Sequence, residues 1–313
     1  MRGYAVARRV LRWRCLDYFT PRNRETAQPR NRMNDVLYIN GRFTTTSERV
    51  IGVEDRGFQF GDAVYEVFKF LGKRPVFLAD HYQRMERGLR EIEIHSPWDE
   101  AAFAAIMREL IARTAFDDGI VYIQVSRGEG ERAHFYSDDL RPTVVAYTRA
   151  VSFPDAAKKE RGIRLVTTAD LRWKHCDVKS VNLLANVLAK KKAQRAGADE
   201  VLLIDGGIVR EGASASFFVI RGGGVITHPP DEHILPGIVR DRVLQLARAA
   251  GIPVEERPLR ESELFDVDEA FITSTSMSVM PVSAIDLRTM RRGPLTPVLQ
   301  RLLDEEEARD ASP

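Results

Sequence analysis

Four short stretches carry the side chains best suited to chemistry. The first is Cys176-Asp177-Val178-Lys179-Ser180-Val181-Asn182-Leu183-Leu184. A lone lysine is most often a solvated surface group. Lys179, however, follows a valine and sits just before an apolar helix start, where burial yields the nucleophilic amine that Schiff-base chemistry requires. The Lys190-Lys191-Lys192 run further along reads as a solvated face near the end of that helix. The second stretch is Arg210-Glu211-Gly212-Ala213-Ser214-Ala215-Ser216, after a Gly206-Gly207 turn. Its small residues let a ligand approach the backbone closely. A carboxylate at Glu211 can pair there with a protonated ring nitrogen, although an ordinary loop between strands has the same composition.

The third candidate is a pair of anion sites. Leu235-Pro236-Gly237-Ile238-Val239-Arg240 opens a helix and exposes free N–H groups that suit a phosphate. Thr273-Ser274-Thr275-Ser276 adds hydroxyl and N–H donors after a strand. Neither matches a P-loop or a dinucleotide fingerprint. The fourth is Arg127-Gly128-Glu129-Gly130-Glu131-Arg132-Ala133-His134, where Arg132 and His134 can grip a carboxylate from an extended loop. Solvated loop charges are the plainer reading of it. The six histidines form no HExxH helix and no Ser-His-Asp pattern is legible, so no metal site is expected.

These residues need elements to position them. Val36 to Ile39 followed by Asn40-Gly41 predicts a strand entering a hairpin. Further strands are expected at 64–71, 121–125, 143–147, 163–168, 201–204, 216–220 and 269–273. Helices are expected from Asp80, over 99–113, over 181–196 with Gly197 ending it, and over 238–250 with Gly251 ending it. A break at 149–160 marks a boundary. The expectation is a mixed αβ chain: a basic leader at 1–33, a smaller αβ domain at 34–152 and a larger one at 153–313.

Composition narrows the classes. The 313 residues are 44% hydrophobic and 29% charged, too apolar for disorder and too charged for a membrane protein. Two cysteines, Cys15 and Cys176, make no disulfide framework and point to a reducing, cytoplasmic setting. The net charge is +2, but residues 1–32 hold nine arginines against Asp17 and Glu25. That segment is therefore +7 and the remainder −5. A disordered basic arm, a targeting peptide and translated sequence ahead of the true start all fit it. Met33, where periodic structure begins, favours the last. The acidic body and sparse aromatics of the arm argue against nucleic acid as a partner.

The stretch Glu54-Asp55-Arg56-Gly57-Phe58-Gln59-Phe60-Gly61-Asp62-Ala63-Val64-Tyr65-Glu66-Val67 closely resembles the signature of the D-amino-acid transaminases. These are class IV, fold-type IV pyridoxal-phosphate enzymes, and the likeness runs from about residue 35 to about 300. It implies a two-domain fold-type IV enzyme with pyridoxal 5'-phosphate as cofactor. By position, Lys179 resembles the lysine that binds the cofactor and shuttles the proton, and Glu211 the carboxylate on the pyridine nitrogen. Arg84 resembles the phosphate-binding arginine, although a surface pair with Asp80 is the plainer reading of it. Ile238, Val239, Ser274 and Thr275 match phosphate contacts, Ser214 a serine near the cofactor, and Leu235 a leucine behind the ring. Tyr65, with Arg132 and His134 reaching in from a partner subunit, matches the grip on the substrate carboxylate, which implies a homodimer. The implied reaction moves an amino group from a D-amino acid such as D-alanine to a 2-oxo acid such as 2-oxoglutarate, giving D-glutamate and pyruvate. A branched-chain or other class IV aminotransferase, or an aminodeoxychorismate lyase, is the alternative. Three departures bear on affinity rather than chemistry: Val239 where relatives carry threonine, alanines among the serines after Glu211, and Pro236 where a lysine can occur.

Overall fold

A computed structural model describes residues 36–44 and 51–311; the basic segment 1–33, with Met33, lies outside the described residues. Strand β1 (Leu37–Ile39) turns into β2 (Arg42–Thr44) through Asn40 (φ 45°) and Gly41 (φ 88°). Positive φ at both central residues is the turn whose twist matches antiparallel strands. There follow α1 (Arg56–Phe60), β3 (Ala63–Leu71), β4 (Arg74–Pro75), α2 (Leu78–Glu91), α3 (Glu100–Ala112), β5 (Gly119–Ser126) and β6 (Thr143–Arg149). Their six strands form one antiparallel sheet, ordered β2-β1-β6-β5-β3-β4.

Along β3, Val64, Phe68 and Phe70 face the core with strand alternation and meet Tyr82, Met85 and Leu89 of α2 and Phe103, Met107 and Leu110 of α3. Glu66 shares that buried face. The helix expected from Asp80 begins two residues earlier, at Leu78, after Phe77 in the left-handed region (φ 54°).

The chain then crosses to a second sheet through α4 (Ala156–Arg161), a charged turn of helix inside the expected break. The elements after it are β7 (Ile163–Ala169), α5 (Leu184–Arg195), β8 (Glu200–Asp205), β9 (Ile208–Val209), β10 (Ser216–Arg221), β11 (Gly224–Thr227), α6 (Ile238–Ala249), β12 (Val254–Glu256), β13 (Leu259–Arg260), β14 (Glu269–Ser274), β15 (Ser278–Ile285), β16 (Arg288–Thr289) and α7 (Leu295–Asp310). Nine strands run β12-β11-β10-β14-β15-β7-β8-β9-β13, with β16 beside β15. Both faces are buried, and alternation sorts them: Phe217, Val219 and Ile272 face one core, while Phe218, Phe271 and Val279 face the other under α6 and α7. Phe218 stacks on Phe271 at 4.6 Å. Helices α5 and α6 end as expected at Gly197 (φ 66°) and Gly251 (φ 73°).

The helix expected from 181 starts at Leu184 instead. Residues 179–181 run alongside β3: the Tyr65 N–H donates to the Lys179 carbonyl at 3.0 Å, and the Val181 N–H to the Ala63 carbonyl at 3.2 Å. Backbone pairing to the first sheet outcompetes one more helical turn, and it brings Lys179 beside Tyr65.

Candidate active site

A cleft enclosing about 850 Å3 of space, its open mouth included, lies where β3 and α2 of the first sheet meet β10, β14, α6 and the 172–186 segment of the second. Ten of the expected residues line it: Tyr65, Arg84, Lys179, Glu211 and Ser214, and Leu235, Ile238, Val239, Ser274 and Thr275. Arg132 and His134 do not. Both are exposed, and they pack on Phe60 of α1, at 5.4 Å for the Arg132 guanidinium and 5.9 Å for the His134 ring.

Lys179 is half-buried, with Nζ 4.4 Å from the centre of the Tyr65 ring. Tyr65 is itself the first of three stacked tyrosines, with Tyr122 at 5.6 Å and Tyr147 a further 5.1 Å on.

Glu211 is buried and lines the same cleft. Its Oε1 accepts from Arg172 Nη1 at 2.5 Å and from the Leu235 N–H at 3.0 Å. Among the described residues Oε2 has no partner, so one carboxylate oxygen remains to accept from a ligand. Burial pushes the carboxyl above its ordinary value, and the Arg172 guanidinium and Leu235 N–H oppose that rise. Arg172 is fixed in turn by Asp170, at 3.0 Å and 2.8 Å, and by the His233 carbonyl at 3.0 Å. Leu235 thus contributes its backbone N–H as well as its side chain.

Arg84 takes no part in the expected pair with Asp80, which binds Arg242 instead. The geometry is fixed by Glu66, which is fully buried and holds Arg84 bidentately at 2.7 Å and 2.9 Å. His81 Nδ1 lies 2.7 Å from the same carboxylate. Burial alone would raise the Glu66 carboxyl, but Arg84 and His81 outweigh it and hold it well below the usual carboxylate range. Arg84 Nη1 also reaches the Pro236 carbonyl at 3.0 Å. Three of its five N–H donors are used, leaving two.

Beside Arg84, α6 begins at Gly237 with no side-chain cap, so the Ile238 and Val239 N–H groups are unpaired among the described residues. Such a terminus favours an anion. Buried Thr273 lines the same cleft, and among the described residues its Oγ1 has no hydrogen-bond partner. An orphaned hydroxyl, two free helix amides and a spare guanidinium edge fit a phosphate group. Lys179 and the open Glu211 Oε2 fit the aldehyde and ring nitrogen of a pyridoxal.

Ser214 is exposed to the cleft and donates to buried Glu200 at 2.8 Å. Lys190, expected to be solvated, reaches that carboxylate at 2.9 Å, because burying Glu200 without a cation would be costly. Arg172 and Glu66 are the site residues that sequence reasoning missed, while Thr273 belongs to the hydroxyl-rich stretch it singled out. Glu66 left a signal, a carboxylate inside a mostly apolar strand whose one other charge is Lys69. Arg172 left none.

The sequence pattern of the amino-transferase class IV family matches residues 63–285. The chain belongs to that family. Its members among curated proteins include the D-alanine aminotransferase of Bacillus licheniformis, 41% identical over 85% of this chain and 95% of that protein. The D-alanine aminotransferase of Staphylococcus aureus is 34% identical over 85% and 94%. The class IV fold is shared with the branched-chain amino acid aminotransferase of Escherichia coli at a TM-score of 0.82, with 22% identity over 89% of this chain and 96% of that one. The protein is therefore a class IV aminotransferase by sequence and by fold, and an enzyme.

Proposed function

We propose that this class IV aminotransferase is a pyridoxal-phosphate-dependent D-amino-acid transaminase, carrying the amino group of D-alanine to 2-oxoglutarate to give pyruvate and D-glutamate. The observation that carries the reading is that Lys179 and Glu211 line one cleft together with an anion-binding end. When bound, the cofactor supplies an electron sink conjugated to the substrate Cα. Lys179 Nζ would hold the cofactor covalently, and its free amine would take the proton from the substrate Cα. Glu211 Oε2 keeps the ring nitrogen protonated, and Arg172 keeps Glu211 ionised and in place. Arg84, the Ile238 and Val239 N–H groups, Thr273, Ser274 and Thr275 bind the phosphate. Val239 gives up a hydroxyl there and keeps its amide.

The substrate assignment rests on the D-alanine aminotransferases among the relatives and on Tyr65 with the Arg132-Ala133-His134 stretch. Because Arg132 and His134 lie outside their own cleft, the reading needs a homodimer in which they serve the partner's cleft. Exposed Leu184, Val187 and Leu188 on one side of α5, with Leu171 and Trp173 beside them, support an interface there. The reading divides the chain at about residue 152 into a smaller and a larger domain. It places the enzyme in the cytoplasm, in keeping with its two cysteines. Among the described residues no helix is long and apolar enough to cross a membrane.

The experiment is Lys179→Ala. It removes the covalent link, so transamination and the near-visible absorbance of the bound cofactor should both vanish. Normal turnover by the purified variant would overturn the assignment.

A further inference from the structure

The last two turns of α7 reach three elements around the anion end of the cleft: β3, the start of β15 and the start of α2. Buried Glu307 pairs with Lys69 Nζ of β3 at 2.5 Å and accepts from Ser278 Oγ, at the start of β15, at 3.2 Å. Lys69 donates to the same hydroxyl at 2.8 Å. One turn further on, Asp310 Oδ2 accepts the Phe77 N–H at 2.5 Å. That caps α2, the helix of Arg84, which has no side-chain cap of its own within its sequence.

Ser278 shows why the cluster matters. Strands β14 and β15 pair Ser274 with Ser278 across a three-residue turn, and Ser278 closes it at φ 51°. Glycine fills such a position without steric cost, whereas a serine there is strained. A strained residue persists where its surroundings over-determine it. Here the hydroxyl is gripped by Lys69 and Glu307 together. The turn so fixed holds Ser274, whose Oγ accepts the Met277 N–H at 3.2 Å, and Thr275, which donates to the Val67 carbonyl at 3.3 Å.

We infer that Glu307, acting with Lys69 and Ser278, is a positioning residue for the phosphate end of the cleft, setting the 274–277 turn against β3 so that the Ser274 hydroxyl and the turn's N–H groups meet an anion. The inference rests on the reading of the cleft as a pyridoxal-phosphate site. Glu307 touches neither cofactor nor substrate; its effect passes through Ser278.

The test compares two probes on apo-protein by near-ultraviolet titration: pyridoxal phosphate, and pyridoxal, which lacks the phosphate. Glu307→Gln keeps the side chain's size and removes its charge. Affinity for pyridoxal phosphate should fall about tenfold, as sub-ångström misplacement of binding groups produces, while affinity for pyridoxal stays the same. Ser278→Gly removes the hydroxyl but relieves the backbone, so it should keep the wild-type Tm and show the same selective loss. It decides alone where Glu307→Gln fails to fold. An unchanged ratio of the two affinities, or an equal fall in both, overturns the inference. Wild-type protein that does not prefer pyridoxal phosphate to pyridoxal overturns the cofactor reading itself, and the inference with it.

Discussion

Arg172→Met separates the two functions of the Arg172–Glu211 contact and gives each a magnitude. Methionine retains most of the volume and leaves two carboxylates without their cation, Glu211 and Asp170, whose side chains are 6% and 10% exposed. Each keeps one main-chain donor at 3.0 Å, Asp170 from residue 172 and Glu211 from Leu235, and Glu211, the more buried of the two, bears most of the cost. A stranded carboxylate escapes by taking a proton. For an ordinary carboxyl of pKa ~4.3 at pH 7.5, at about 1.4 kcal/mol per pH unit, that costs about 4 kcal/mol. Breaking a buried pair by removing one partner costs a similar ~3–5 kcal/mol. At ~2–4 °C per kcal/mol for a chain of this size, Tm should fall by roughly 8–16 °C at pH 7.5.

The pH dependence carries the sign. Burial already raises the Glu211 carboxyl, and losing Arg172 raises it further. A group whose folded pKa exceeds its unfolded one has its full stability below the unfolded value and loses it as pH rises. The destabilisation of the variant should therefore shrink at pH 5.5, where protonation costs only about 1.6 kcal/mol. A neutral Glu211 can no longer keep a ring nitrogen protonated, so kcat should fall on the order of 10²-fold. Differential scanning at the two pH values checks the stability, and steady-state kinetics the chemistry. An unchanged Tm, or a Tm loss as large at pH 5.5 as at pH 7.5, would refute the claim that Arg172 neutralises Glu211.

Arg132→Ala removes a guanidinium that lies outside its own cleft. It should raise KM for D-alanine by about 10–100-fold, the loss of a charge-assisted carboxylate grip of ~1.5–3 kcal/mol, and leave pyridoxal-phosphate affinity unchanged; equal losses of both would contradict its role at the partner's cleft. Leu188→Glu places a charge on the exposed apolar side of α5. Sedimentation should show monomer replacing dimer at micromolar concentration with activity lost in parallel, whereas full activity from a monomer would show that no partner residue is required.

Much of the cleft was legible because its residues sit at fixed offsets from strong local signals. Gly237 ahead of an amphipathic run locates the α6 amides, and the small-residue stretch after Gly206-Gly207 locates Glu211. Helix and strand periods located α6 and β10 to within a residue or two. The partners that hold those groups were not legible, because they come from distant sequence. Arg172 meets Glu211 across 39 residues and Glu66 meets Arg84 across 18. Helix α7 left little to read alone; its buried Glu307 acquires meaning only from Lys69, far earlier in the chain. The start of α5 was misplaced because the competitor for residues 181–183 is backbone pairing to β3, which no local propensity records. Arg132 and His134 read as a pair from sequence, and in one chain they remain a pair beside Phe60, outside the cleft.

The central claim is that this cleft transaminates D-amino acids. The most direct measurement is pyruvate release by the purified wild-type enzyme from D-alanine and from L-alanine, each with 2-oxoglutarate. Turnover with D-alanine should be at least about a hundredfold above that with L-alanine, the discrimination that a few kcal/mol of differential transition-state binding gives. Equal rates, or a preference for L-alanine or L-branched-chain substrates, would contradict it.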